Sequence, residues 1–98
     1  MIESAVELPA QTGKTVLLRL ERQGVGGYLW SIGQLPPALG LAGERQEAEP
    51  GADVGGGVAL VVELIADAPG RHAFTCELRR PWGARDIAER RTVTVAVS

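Results

Sequence analysis

Val58-Ala59-Leu60-Val61-Val62-Glu63-Leu64-Ile65-Ala66-Asp67-Ala68-Pro69-Gly70-Arg71-His72-Ala73-Phe74-Thr75-Cys76-Glu77-Leu78-Arg79-Arg80 carries the alternation that decides the fold. Successive side chains of an extended chain point to opposite sides, so Val58, Leu60, Val62 and Leu64 form one apolar face. Ala59, Val61 and Ile65 make the other face partly apolar, which predicts a central strand. Pro69 and Gly70 stand where a type II turn requires them, giving a tight connection. Beyond it the alternation resumes, with Phe74, Cys76 and Leu78 opposite Thr75, Glu77 and Arg79.

The same two-residue period extends in both directions. Val93, Val95 and Val97 alternate with Thr92, Thr94 and Ala96, and Val16, Leu18 and Leu20 alternate with Leu17, Arg19 and Glu21 after a Gln11-Thr12-Gly13 turn. Weaker strands are expected near 4–8, 28–32 and 44–48, inside a 40–49 stretch that reads as a solvated, charged connection. No long segment has helical period, and Pro36-Pro37 blocks a helix where one could otherwise form. Strands are therefore predicted at about 3–8, 14–21, 28–33, 44–48, 58–66, 71–80 and 90–97. Seven short alternating strands predict an all-β, immunoglobulin-like sandwich, one domain over 1–98. Antiparallel order also sends the connections after the second, fourth and sixth strands to a common end. Those connections are 22–27, 49–57 and 81–89.

Composition narrows the function. A formal net charge of −2, with Lys14 the only lysine, argues against nucleic acid. The five arginines Arg79, Arg80, Arg85, Arg90 and Arg91 are balanced nearby by Asp86 and Glu89. The longest apolar run, 58–65, is interrupted by Glu63 and too short to insert through a membrane. Met1-Ile2-Glu3-Ser4 reads as no secretory signal, and the lone Cys76 leaves the compartment open. Cys76 and His72 lie four residues apart on one strand, about 13 Å, which excludes a catalytic dyad. With one histidine and one cysteine, no metal or other cofactor is expected, and a non-enzymatic monomer is the reading.

The chemistry concentrates in the three connections. Gly24-Val25-Gly26-Gly27 and Gly51-Ala52-Asp53-Val54-Gly55-Gly56-Gly57 are glycine-rich, and Arg79-Arg80-Pro81-Trp82-Gly83 offers a rigid cationic, aromatic tip. Trp is a costly residue to leave in a loop unless a partner covers it. Three such loops on one small β-domain suggest a binding edge.

In order and spacing these loops resemble those of the chagasin family, inhibitors of papain-like cysteine peptidases. That family's first loop reads Asn-Pro-Thr-Thr-Gly-Tyr with Trp two places on, and Gly27-Tyr28-Leu29-Trp30 matches its second half. Val54-Gly55-Gly56-Gly57 matches all but the first glycine of the Gly-x-Gly-Gly middle loop, and Arg80-Pro81-Trp82 matches the last loop intact. The resemblance spans about 16–97 and implies an immunoglobulin-like fold and a papain-like cysteine peptidase as partner. It implies occlusion of the peptidase cleft by loops at about 22–28, 50–57 and 79–85. The residues implied are Gly24, Val25, Gly26, Gly27, Tyr28, Val54, Gly55, Gly56, Gly57, Arg80, Pro81 and Trp82.

Gln23-Gly24-Val25-Gly26 departs from the family's Asn-Pro-Thr-Thr, where the threonine at the place of Val25 lies closest to the target's catalytic cysteine. Extra glycines enlarge the unbound loop ensemble, so a weaker or retargeted inhibitor is expected. Restoring Pro, Thr and Thr at 24–26 is expected to tighten binding. Trp30 reads as core, and Tyr28 reads equally as contact or as anchor of the loop. The 51–57 glycines could be a mere connection, Trp82 could fold over Leu35 or a neighbouring loop, and Arg80 could pair with Glu89 or Asp86. The alternative function is a non-inhibitory protein-binding module on the same scaffold.

Overall fold

The computed structural model describes residues 1–48, 58–83 and 86–98, with Val25 described by its backbone alone. Among these residues the strands are β1 (Ile2–Ala10), β2 (Thr15–Gln23), β3 (Leu29–Ile32), β4 (Leu39–Ala48), β5 (Val58–Ala66), β6 (Gly70–Arg79) and β7 (Ile87–Val97). One sheet has the order β1-β7-β6-β3 and the other β2-β5-β4. The strands thus form the expected sandwich. The Pro69-Gly70 connection is short, as read, and it carries the chain from the three-stranded sheet to the four-stranded one.

The alternation in sequence becomes the packing between the sheets. Leu18, Leu20, Leu60, Val62 and Leu64 face Trp30, Phe74, Cys76, Leu78, Val93, Val95 and Val97 in one buried cluster. Cys76 is fully buried there, and burial pushes its thiol up to about 11. It is a small core hydrophobe. His72 Nε2 lies 3.0 Å from the Ala68 carbonyl oxygen, beside the β5–β6 connection.

β5 is central in its sheet, as its two apolar faces required. On its outer face Ala59 and Val61 are buried too. Val61 stands in register between Arg19 and Arg45, and both arginines pair with Glu47, at 3.0 and 2.9 Å. Arg45 also pairs with Glu63 at 2.7 Å. Such half-exposed ion pairs contribute little themselves. Arginine stems can cover apolar surface, and Val61, between the two in register, is buried.

β4 is longer than the sequence suggested, beginning at Leu39 rather than near residue 44. Leu39 is buried, and the strand is irregular between Leu41 and Gly43. That irregularity hides the alternation, which is why the segment read as a connection.

Strand pairs are antiparallel except β1 with β7, where Ile2 pairs with Glu89 and Ala10 with Val97. Odd-numbered strands therefore run one way and even-numbered strands the other. The segments after β2, β4 and β6 leave from one end.

Candidate functional site

The first loop leaves β2 through a distortion. The β2–β5 register shifts between Leu20 and Gln23, and Arg22 takes φ +65°. The extra residue turns Gln23 inward, where it is almost fully buried and its Oε1 accepts a hydrogen bond from Trp30 N–H at 3.1 Å. The bond satisfies an edge donor at the start of β3 that would otherwise be buried and unpaired.

Beyond Gln23 the chain closes on itself. Gly24 N–H donates to Tyr28 O at 2.6 Å, and Gly27 N–H to Gly24 O at 3.4 Å. Gly24, Gly26 and Gly27 have φ of +90°, +65° and +82°, conformations that side-chain-bearing residues rarely adopt. The glycines are therefore what this closed shape requires. That bears on the Asn-Pro-Thr-Thr comparison. Proline at 24 would need φ near −65° and would remove the N–H that closes the loop. On this backbone, proline at 24 does not fit the closed loop that Gly24 makes.

The third loop is held by backbone bonds among its described residues, 80–83 and 86. Gly83 N–H donates to Arg80 O at 3.1 Å, a turn with Pro81 at its first corner and Trp82 at its tip. Asp86 N–H donates to Gly83 O at 3.0 Å, and Arg80 N–H to Asp86 O at 3.4 Å.

The two loops touch. Arg80 Nε donates to Gly26 O at 2.9 Å, and its guanidinium lies 4.5 Å from the Tyr28 ring centroid. Arg80 Nη1 pairs with Asp86 Oδ2 at 3.0 Å, and Tyr28 Oη donates to Asp86 Oδ1 at 3.0 Å. The bond to Asp86, with some desolvation, holds the Tyr28 phenol above its usual value against the opposing pull of Arg80. Trp82 lies against Gly27 of the neighbouring first loop, as one of the alternatives had it, rather than over Leu35, and it remains 76% exposed. Tyr28 is thus an anchor, and Arg80 takes Asp86 as its partner.

Below the rim sits a polar layer that the sequence reading missed. Glu89 Oε2 accepts from Ser4 Oγ at 2.7 Å and from Arg91 Nη2 and Nε at 2.7 and 3.0 Å. Arg91 in turn lies 4.9 Å from the Trp30 ring centroid, and Trp30 Nε1 donates to Glu21 O at 2.6 Å. Burial would raise the Glu89 carboxyl, but Ser4 and the neighbouring arginines outweigh it and hold it below the usual range. The signal was present, because Glu89 and Arg91 share the parity of Val93, Val95 and Val97.

Of the residues predicted for the site, Gly24, Gly26, Gly27, Tyr28, Arg80, Pro81 and Trp82 come together at one end. Val54, Gly55, Gly56 and Gly57 lie outside the described residues, as does the Val25 side chain. The strand ends that bound the middle loop, Ala48 and Val58, are paired, and Val58 also pairs with Gln23 at the base of the first loop.

Residues 9–97 match the profile of the chagasin family peptidase inhibitors, I42. The chain belongs to the chagasin family. No curated protein sequence matches it. Solved structures share its fold at low identity. A cysteine protease inhibitor from Entamoeba histolytica, EhICP2, is 18% identical with a TM-score of 0.72, covering 98% of this chain and 97% of that one. PbICP-C, solved in complex with falcipain-2, is 14% identical with a TM-score of 0.76, over 98% of this chain and 89% of its own. Amebosin is 18% identical with a TM-score of 0.60, over 100% and 99%. This chagasin-family member departs from the usual first-loop sequence, yet it builds that loop as a closed turn locked to the Arg-Pro-Trp loop.

Proposed function

We propose that this protein is a reversible inhibitor of papain-like cysteine peptidases, acting as a wedge whose leading edge is the pair of locked loops. The observation that carries the reading is Trp82, three-quarters exposed at the tip of a turn that is itself tied to the first loop. Membership of a peptidase-inhibitor family, and likeness to folds named as cysteine protease inhibitors, support the choice of target.

The first loop enters the cleft, where its glycines let backbone approach the peptidase surface closely. Trp82 covers an apolar wall beside it. A tryptophan carries on the order of 200 Å², so covering three-quarters of it contributes about 3–4 kcal/mol gross at ~25 cal/mol per Å². An exposed pair such as Arg80–Asp86 contributes at most about 1 kcal/mol of stability. Trp82 therefore dominates as the contact and Arg80 acts as scaffold. A closed loop resists cleavage if it presents no peptide bond in attack geometry. Val58, which follows the middle loop in sequence, pairs with both Gln23 and Ala48, and this supports a reading in which the middle loop packs along the other wall.

Titration against papain and a cathepsin L-like peptidase tests the reading. Stoichiometric, reversible loss of activity is expected, and no inhibition at micromolar concentration overturns it.

A further inference from the structure

We infer that Asp86, which lies outside all three loop motifs, is a positioning residue that makes the first and third loops one preorganised body. The inference rests on the inhibitory reading above. Both oxygens of its carboxylate are used, Oδ1 by the Tyr28 hydroxyl and Oδ2 by Arg80 Nη1, each at 3.0 Å. Tyr28 closes the first loop through its carbonyl, and Arg80 opens the third and reaches back to Gly26 O. A ring of contacts thus runs from Gly26 through Arg80 and Asp86 to Tyr28, and Asp86 is the link that joins its two long side chains.

The backbone aims this carboxylate. Asp86 is held at both its N–H and its carbonyl, by Gly83 O and Arg80 N–H. A Cβ on Gly83 would stand 3.0 Å from Asp86 Cβ, so the absence of a side chain at 83 is what lets Asp86 sit so close to the turn. A charge placed by chance on an exposed loop has neither two partners on different loops nor a fixed backbone.

The ring lies at the rim of the sandwich, away from the core, so breaking it acts on the freedom of the loops more than on global stability. A loop that must be ordered on binding lowers affinity without any contact being lost. Inhibition and folding should therefore separate at this residue.

The experiment compares wild type, Asp86→Ala, Tyr28→Phe and the double variant. Inhibition constants against papain, melting temperatures and hydrogen exchange at the Gly24 and Gly27 amides of the free protein are measured. Asp86→Ala is expected to raise the inhibition constant about tenfold or more and to speed exchange at both amides, with little change in melting temperature. Tyr28→Phe is expected to weaken inhibition alone and to add little on top of Asp86→Ala, because both cut the same ring. Asp86→Asn, which keeps an acceptor for Tyr28, should recover part of the loss. If wild type inhibits while Asp86→Ala changes neither the inhibition constant nor the exchange, or if the two losses add fully, the inference fails. Failure of the inhibitory reading shows separately, as a wild type that leaves papain active; the exchange data then still decide whether Asp86 couples the loops.

Discussion

A Cβ placed on Gly27 would stand 2.6 Å from Cη2 of Trp82, so the ring rests where a side chain on the first loop would otherwise be. The relationship joins a backbone requirement to a contact requirement, since Gly27 also has φ +82°. Gly27→Ala is expected to lose about 1–2 kcal/mol of stability from the left-handed backbone. It must also push Trp82 off its seat. Inhibition should weaken more than the melting temperature alone explains, and the emission of Trp82 should shift. An Ala variant with unchanged inhibition and emission would show that the seat is unimportant.

Trp82→Ala separates contact from fold more cleanly. The side chain is 76% exposed, so its removal should change stability by no more than about 0.5 kcal/mol. As a central anchor it should weaken inhibition by about 2 kcal/mol or more, roughly thirtyfold. Unchanged inhibition would assign the anchor to another residue. A large fall in melting temperature would mean that the ring serves the fold instead.

What the sequence revealed, and what it hid, follows from how far each signal travels along the chain. Strand parity is a local property, and it placed the first and third loops together without any knowledge of sheet order. It also held for Glu89 and Arg91, whose inward face could have been read from Val93, Val95 and Val97. Their charges drew the reading towards solvent. Gln23 was illegible for a different reason. The shift after Leu20, with Arg22 at φ +65°, breaks the alternation just before it, and no residue type announces that break. The Arg80–Asp86 pair was readable as one choice of two, whereas the Tyr28–Asp86 bond, between residues 58 apart in sequence, needed coordinates.

The glycines of the first loop illustrate the same limit. Composition alone presents Gly24 and Gly26 as lost rigidity, while the backbone presents them as the residues that permit closure. Gly24→Pro is therefore expected to weaken inhibition, about tenfold or more, although it moves the sequence towards the family pattern. Loss of the 2.6 Å bond to Tyr28 O is the cause, and faster exchange at the Gly27 amide should accompany it. Tighter inhibition by the proline variant would mean that the bound loop takes a different shape from this one.

The polar layer under the rim gives the fold a dependence on acid. Glu89 is buried against Ser4 and Arg91, and its folded pKa lies below the unfolded value. Below that folded value both states carry the proton, and the advantage of the ionised pair is gone. The contribution is thus fully present above the ordinary glutamate range, near pH 4.5, and is lost as pH falls through the depressed folded value. Glu89→Gln should lower stability at pH 7 by about 2–3 kcal/mol, because Arg91 is left mostly buried without its partner. The same variant should lose less on acidification than wild type, and denaturant melts at pH 7 and pH 3 measure both. Equal slopes with pH in the two proteins would place the acid sensitivity in other carboxylates, and an unchanged stability at pH 7 would show that water replaces Glu89 beside Arg91.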